Sequence, residues 1–266
     1  MRNKLSGVIL VVFLVSGASR PFFGLITEEN LDQERAAIEN YLKTAKIVSV
    51  EPELSGRTQG WTVELDDGTE KKRGFFKHAN RHRPNILPDC YMYEIAAYEL
   101  DKLLNLNIVP PVIKREIDNV TGSLQIFLEE CRPLDEQIKR NLSAPDEILF
   151  ENAMDEIVIF ENLVFDECGD QRDILVHLSD WRLCRVDFSE AFEPKKSLIP
   201  DCEIKRCPRS LFQNLNKLDD ELLRSAVGNY LNEEEMAALI VRSKLITGHL
   251  DQLIEENGEA AVLYDK

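Results

Sequence analysis

Apolar positions along the chain follow a helical period at its start, then a period of two, then a helical period again. From Thr27 to Thr44, the residues Leu31, Ala36, Ile38, Tyr41 and Leu42 recur among charges. With Thr27 as N-cap and Glu28 and Glu29 in the first turn, this predicts an amphipathic helix. Ile47 to Leu54, Trp61 to Leu65 and Gly74 to His78 are short apolar or alternating runs. The turn signals Ser55-Gly56 and Asp66-Asp67-Gly68 separate them, as in a small antiparallel sheet. Cys90 to Leu104 returns to helical spacing through Tyr93, Ala96, Ala97, Leu100, Leu103 and Leu104, and stops near Asn105 to Asn107 before Pro110. Pro111 to Ile117 and Ser123 to Glu129 predict two strands about the turn Asp118 to Gly122. After a charged link, Arg132 to Pro145, a helix is expected over Asp146 to Phe165. Further helices are expected over Pro208 to Leu218, Asp219 to Leu231 and Asn232 to Asn257, with Asn232 capping a run of three glutamates. A sheet-forming half followed by a mainly helical half is an α+β chain.

The 266 residues suffice for one large domain or two lobes, and 44% hydrophobic content supplies a core. A formal charge of −16 argues against nucleic acid as a partner, since no basic stripe is present to neutralise phosphates. The same charge disfavours docking on anionic lipid. Arg2 and Lys4, the apolar run Val8 to Val15 and the small residues Ser16 to Ser19 have the layout of a secretory signal peptide over residues 1–19. The run is short for a membrane span, so a secreted or periplasmic chain is expected in preference to an uncleaved tether. An oxidising compartment would allow the six cysteines to pair, and Cys202 and Cys207 are close enough for a local bridge. Free buried thiols are expected for Cys90, Cys131, Cys168 and Cys184. The histidines are too scattered for a structural zinc site.

The chemistry is concentrated between Phe160 and Phe192. Ile174 to His177 and Trp181 to Val186 flank the turn signal Leu178-Ser179-Asp180 and predict a β-hairpin. In phosphoryl transfer a loop carboxylate orients the acceptor hydroxyl, a side chain five residues on holds a metal, and an aspartate after the next hairpin holds metal against the phosphates. In this chain those places are taken by Cys168, Asp173 and Asp187. Two carboxylates at the mouth of a hairpin suit a hard cation such as magnesium or manganese, although turn-capping aspartates would read the same way. Flanked by Asp166, Glu167 and Asp170, the Cys168 thiol should stay neutral and make a poor base. Asp166 and Asp170 are the candidate replacements, each displaced by two residues. Upstream, Lys77 ends a strand and Glu94 lies on the following helix, the pairing that aims a phosphate-binding lysine. Gly56 and Arg57 lie in the turn between the first two strands, where they would cover phosphates.

This segment resembles a group of exported bacterial kinase-like proteins that are distantly similar to HipA-type kinases, phosphatidylinositol kinases and the secretory-pathway Golgi kinases. Phe160, Leu163, Asp166, Ile174, Leu175, Asp180, Trp181, Leu183, Asp187, Ala191 and Phe192 match the group's pattern. The departures fall on the functional letters: Cys168 for aspartate, Gly169 for arginine, Asp170 and Asp173 for asparagines, and Glu190 for a later arginine. Tyr91 to Asp101, Val109 to Pro111, Gly122 to Gln125 and Gly258 to Tyr264 extend the resemblance over nearly the whole mature chain.

The resemblance implies a two-lobed protein-kinase-like fold. Its N-lobe would span residues 27–131, with a leading helix, an antiparallel sheet and a helix over 90–104. Its helical C-lobe would span 132–266, with the catalytic-type loop at 166–173. It also implies ATP with Mg²⁺ or Mn²⁺ as cofactor, and a protein or small molecule of unknown identity as partner. Three functions fit: an exported pseudokinase with a degenerate transfer site, an active atypical kinase acting on a hydroxyl with Asp166 or Asp170 as base, and an exported binding module whose carboxylates are structural or take calcium. Fold alone supports all three.

Overall fold

The computed structural model describes residues 28–53, 60–83 and 86–266. The expected leader at 1–19, the Thr27 cap and the turn carrying Gly56 and Arg57 lie outside the described residues. Helix α1 (Glu28–Thr44) is the first element among the described residues and buries Arg35, Ile38, Tyr41 and Leu42 on one face. Strands β1 (Lys46–Pro52), β2 (Gly60–Asp66) and β3 (Lys71–Lys77) follow, then a small hairpin of β4 (Asn80–Arg83) and β5 (Ile86–Cys90). Helix α2 (Tyr91–Leu104) leads to β6 (Val112–Ile117) and β7 (Val120–Ile126), whose turn is only Asp118-Asn119. Both turn residues have positive φ, a conformation asparagine and aspartate tolerate better than other side chains.

The five main strands form an antiparallel sheet in the order β1-β2-β3-β7-β6. Alternation along β2 sends Val63 and Leu65 inward, and Phe76, Leu124, Ile113 and Ile117 complete the same face. Helix α1 closes that face with Ile38, Tyr41 and Leu42. One close approach fixes the position of Lys77: a Cβ on Gly122 would lie 2.2 Å from the Lys77 carbonyl oxygen, so β7 can pass β3 there only without a side chain.

The stretch expected as a charged link, Arg132 to Pro145, instead contains a strand and a helix, β8 (Cys131–Pro133) and α3 (Leu134–Lys139). β8 pairs with β9 (Ile174–His177), and β9 pairs with β10 (Leu183–Arg185), so the expected hairpin gains a third strand. Helix α4 (Glu147–Val164) is capped by the Asp146 carboxylate accepting from Leu149 N–H at 3.0 Å, and ends at Phe165 in the left-handed region. A short parallel pair, β11 (Cys207–Pro208) and β12 (Leu263–Tyr264), frames helices α5 (Arg209–Leu215), α6 (Asp220–Val227), α7 (Glu233–Asn257) and α8 (Glu259–Val262). Asn232 and Glu235 form a reciprocal capping box at the start of α7. The architecture is α+β: an antiparallel sheet followed by a helical region.

A larger core joins α2 to α4, α7 and the β9–β10 hairpin. Helix α2 ties the two cores together through Asp101, which is fully buried. Its carboxylate accepts from Arg35 of α1 at 2.6 Å and from the amides of Asn107, Ile108 and Val109 in the segment leading to β6. Removing one member of a buried ion pair strands the other. Asp101→Ala is therefore expected to lower the free energy of unfolding by about 3–5 kcal/mol in urea denaturation. A loss well under that range would show that Asp101 does not couple the two cores.

Candidate phosphate and metal site

Lys77 stands at the end of β3, Glu94 in the first turn of α2 and Asp187 just beyond β10. The structure brings all three together. The Lys77 ammonium donates to Glu94 Oε1 at 2.5 Å and to Asp187 Oδ1 at 2.6 Å. Glu94 Oε1 also accepts from the Phe188 amide at 3.1 Å, and Ser189 Oγ donates to Asp187 Oδ1 at 2.9 Å. Burial works against the charged form of Lys77, but the two carboxylates override it and raise its pKa. Burial also acts to raise Asp187; there the ammonium and the hydroxyl prevail and the carboxyl is pushed down to about 2. Lys77 and Glu94 are nearly inaccessible, whereas the Asp187 side chain keeps 44% of its surface exposed. Asp187 holds φ at +64°, in the left-handed region that aspartate tolerates better than most side chains.

Asp173 immediately precedes β9, and its carbonyl oxygen accepts from the Val186 amide at 2.9 Å, so the mouth of the hairpin sets it beside Asp187. Between them lies Arg185, a residue the sequence reading missed because it sits in an apolar run. It is 1% exposed. Its Nε donates to Glu161 Oε1 of α4 at 2.9 Å, its Nη2 donates to Asp166 Oδ2 at 2.8 Å, and its Nη1 lies 3.9 Å from Asp173 Oδ2. Five carboxylates, those of Glu94, Glu161, Asp166, Asp173 and Asp187, thus surround two cations. Burial raises Asp166 to about 7 against the opposing pull of Arg185. Asp173 is likewise raised to about 7, by burial first and then by its acidic neighbours Asp187 and Asp170. An acid-rich mouth with two reachable carboxylates, Asp173 and Asp187, has the donor chemistry of a magnesium or manganese site.

The catalytic-type loop departs from expectation at Cys168. In place of a free neutral thiol, Cys168 forms a disulfide with Cys202, 34 residues downstream. The local Cys202–Cys207 bridge does not form, and Cys207 is free and buried with Cys90, Cys131 and Cys184. Asn162 secures the partner segment by donating to Cys202 O at 3.1 Å, while its Oδ1 accepts from the Ile199 amide at 3.0 Å. Neither candidate replacement base is free. Asp166 is 8% exposed and held by Arg185, and Asp170 is clamped by the Arg172 guanidinium, which pulls its pKa down. Glu161 completes the loop by accepting from the Gly169 amide at 2.9 Å.

The sheet, the lysine–glutamate pair on β3 and α2, and the carboxylates at the hairpin mouth define a protein-kinase-like fold. Among solved structures, the chain is similar to hydra Fam20 determined with sugar, with a TM-score of 0.66 and 16% identity over 88% of this chain and 93% of that one. It is also similar to the Golgi casein kinase, with a TM-score of 0.63 and 16% identity over 88% and 80% of the two chains. That kinase was also solved with Mn/ADP bound. No family model and no curated protein matches the chain.

The raised Asp173 pKa fixes the sign of a pH effect. Between about pH 4 and 7 the folded state keeps a proton that the unfolded chain releases, so this stabilising contribution is present at low pH and lost as pH rises through the folded value. Asp173→Asn is expected to match the parent in stability near about pH 4 and to exceed it near about pH 8, in thermal melts without divalent metal. A variant less stable than the parent at the higher pH would contradict the electrostatic account.

Proposed function

We propose that this protein is an exported pseudokinase that binds a nucleotide with a divalent cation and has lost efficient phosphoryl transfer. The observation that carries the reading is the contrast within one site. The Lys77–Glu94–Asp187 set that would hold phosphates and metal is assembled, whereas the residue in the base position, Cys168, is consumed in a disulfide. A disulfide sulfur has no proton to exchange and no charge with which to orient a hydroxyl. Loss of general-base assistance alone is worth roughly 100- to 10,000-fold in rate.

The acidic excess at the hairpin mouth supports a cation. Asp173 and Asp187 would hold it, supplying the charge that lets anionic phosphates approach a site already rich in carboxylates. The Mn/ADP found in the Golgi casein kinase structure supports the same ligand class. Export is supported by the apolar run of residues 8–15 after basic residues and by a cross-link of the kind that persists in oxidising compartments.

A second reading, an active atypical kinase, draws on Asp166, whose pKa of about 7 is suited to a general base. The Arg185 hydrogen bond and its burial weigh against it, since an acceptor hydroxyl would have to displace the guanidinium.

Saturating ATP with Mn²⁺ is expected to raise the melting temperature of the mature protein by on the order of 5–10 °C, a shift that disappears in Asp187→Asn. No phosphate should pass to the protein itself or to added acceptors. Transfer that persists in Cys168→Ala and stops in Asp166→Asn would overturn the pseudokinase reading in favour of the active kinase. Absence of any nucleotide or metal stabilisation would overturn both.

A further inference from the structure

A cavity of about 330 Å³ lies between the N-terminal half of α4, the β9–β10 turn and the segment before β6. Glu156 lies on its wall, and none of Lys77, Glu94, Glu161, Asp166, Asp173, Arg185 or Asp187 lines it, so the cavity is separate from the site around Asp187. Its walls are mainly apolar. Phe150 and Trp181 meet edge-on with ring centroids 6.3 Å apart, and Leu149 and Leu183 extend the surface. The volume falls within the range of small-molecule pockets.

Glu156 is the unusual group. It is 2% exposed, yet its carboxylate is only half satisfied: Oε2 accepts from the Lys266 ammonium at 2.7 Å, while Oε1 is buried without a hydrogen-bond partner. The other acids at the cavity are engaged elsewhere. Asp146 caps α4, Asp180 pairs with Arg182 at 2.6 Å, and Asp265 accepts from Arg209 at 3.2 Å. Burial raises Glu156 to about 7 even with Lys266 opposing it. A buried acceptor of this kind gains most from a charged donor brought in with its own apolar body. Lys266 shows that the carboxylate accepts an alkylammonium, and its side chain is half exposed, so it can be displaced.

We propose that this cavity binds a small amphiphilic primary amine, its aromatic or branched body lying against Phe150, Trp181 and Leu183 and its ammonium on Glu156. A neutral apolar ligand could not take the place of the Lys266 ammonium on Oε2. An anion would meet the carboxylate across apolar walls, and the nearest guanidinium, Arg182, is held by Asp180.

Three probes that share a phenyl body separate these cases: phenethylamine, 2-phenylethanol and 3-phenylpropionate. Each is titrated into the full chain near about pH 8, where the raised Glu156 is ionised, with Trp181 fluorescence read in a Trp61→Phe background. The amine is expected to bind about tenfold tighter than the alcohol or the acid, a ratio set by one charge-assisted hydrogen bond. Glu156→Gln should abolish that preference. Lys266→Ala, at a half-exposed position that leaves the core intact, should tighten amine binding several-fold by removing the internal competitor. Equal binding of amine and alcohol, a preference that survives Glu156→Gln, or no response to the amine at millimolar concentration would each overturn the proposal.

Discussion

One buried guanidinium organises the helical half of the site. Arg185 is anchored at both ends of its residue: its amide donates to the Ile108 carbonyl at 2.8 Å, and its side chain reaches Glu161 and Asp166. It therefore joins the segment below α2, the core helix α4 and the catalytic-type loop in one network. An arginine removed from water is costly unless its donors are matched, and here Nε and Nη2 each meet a separate carboxylate. The adjoining residues inherit that placement. Val186 and Asp187 continue directly from β10, so the position of the carboxylate opposite Lys77 follows from where the arginine is held.

Lys77 closes the arrangement from the other side. The sheet delivers its ammonium, α2 delivers Glu94, and the strand end delivers Asp187, so three separate elements meet at one charge. Both contacts draw on the close approach of β3 and β7 at Gly122, which sets the backbone of Lys77. Arg242 of α7 fixes the chain beyond Asp187 from below, donating to the carbonyls of Leu163, Glu193 and Lys195. The site is thus held by ion pairs around Lys77 and cross-linked at Cys168.

Much of this was legible in the sequence because local periodicity and turn chemistry carried it. Strand alternation, the helical spacing of α2 and the Leu178-Ser179-Asp180 turn predict the elements that carry Lys77, Glu94, Asp173 and Asp187, and the kinase-type spacing singles those residues out. What escaped was non-local. The pairing of β8 with β9 hides in Arg132 to Pro145, where charge resembles a linker until Cys131, Leu134 and Gln137 are seen to be buried. Arg185 looks like an interruption of an apolar strand, and only the fold supplies the acids that make it a centre. Cys168 and Cys202 lie too far apart in sequence for spacing to pair them, whereas Cys202 and Cys207, close in sequence, stay apart. The half-satisfied Glu156 has no sequence signature, because its signal is a missing partner.

The disulfide also bears on which side chains position 168 can accept. Introducing an aspartate at position 168 by a single substitution would leave Cys202 as a buried unpaired thiol and set a new carboxylate near Glu161, which accepts the Gly169 amide next door. Like charges in a low-dielectric loop repel, and the cross-link's restraint on the unfolded chain would vanish in the same step. An acid there would lose the cross-link and meet the Glu161 carboxylate in the same step, so the cysteine pair and Glu161 together disfavour a carboxylate at that position.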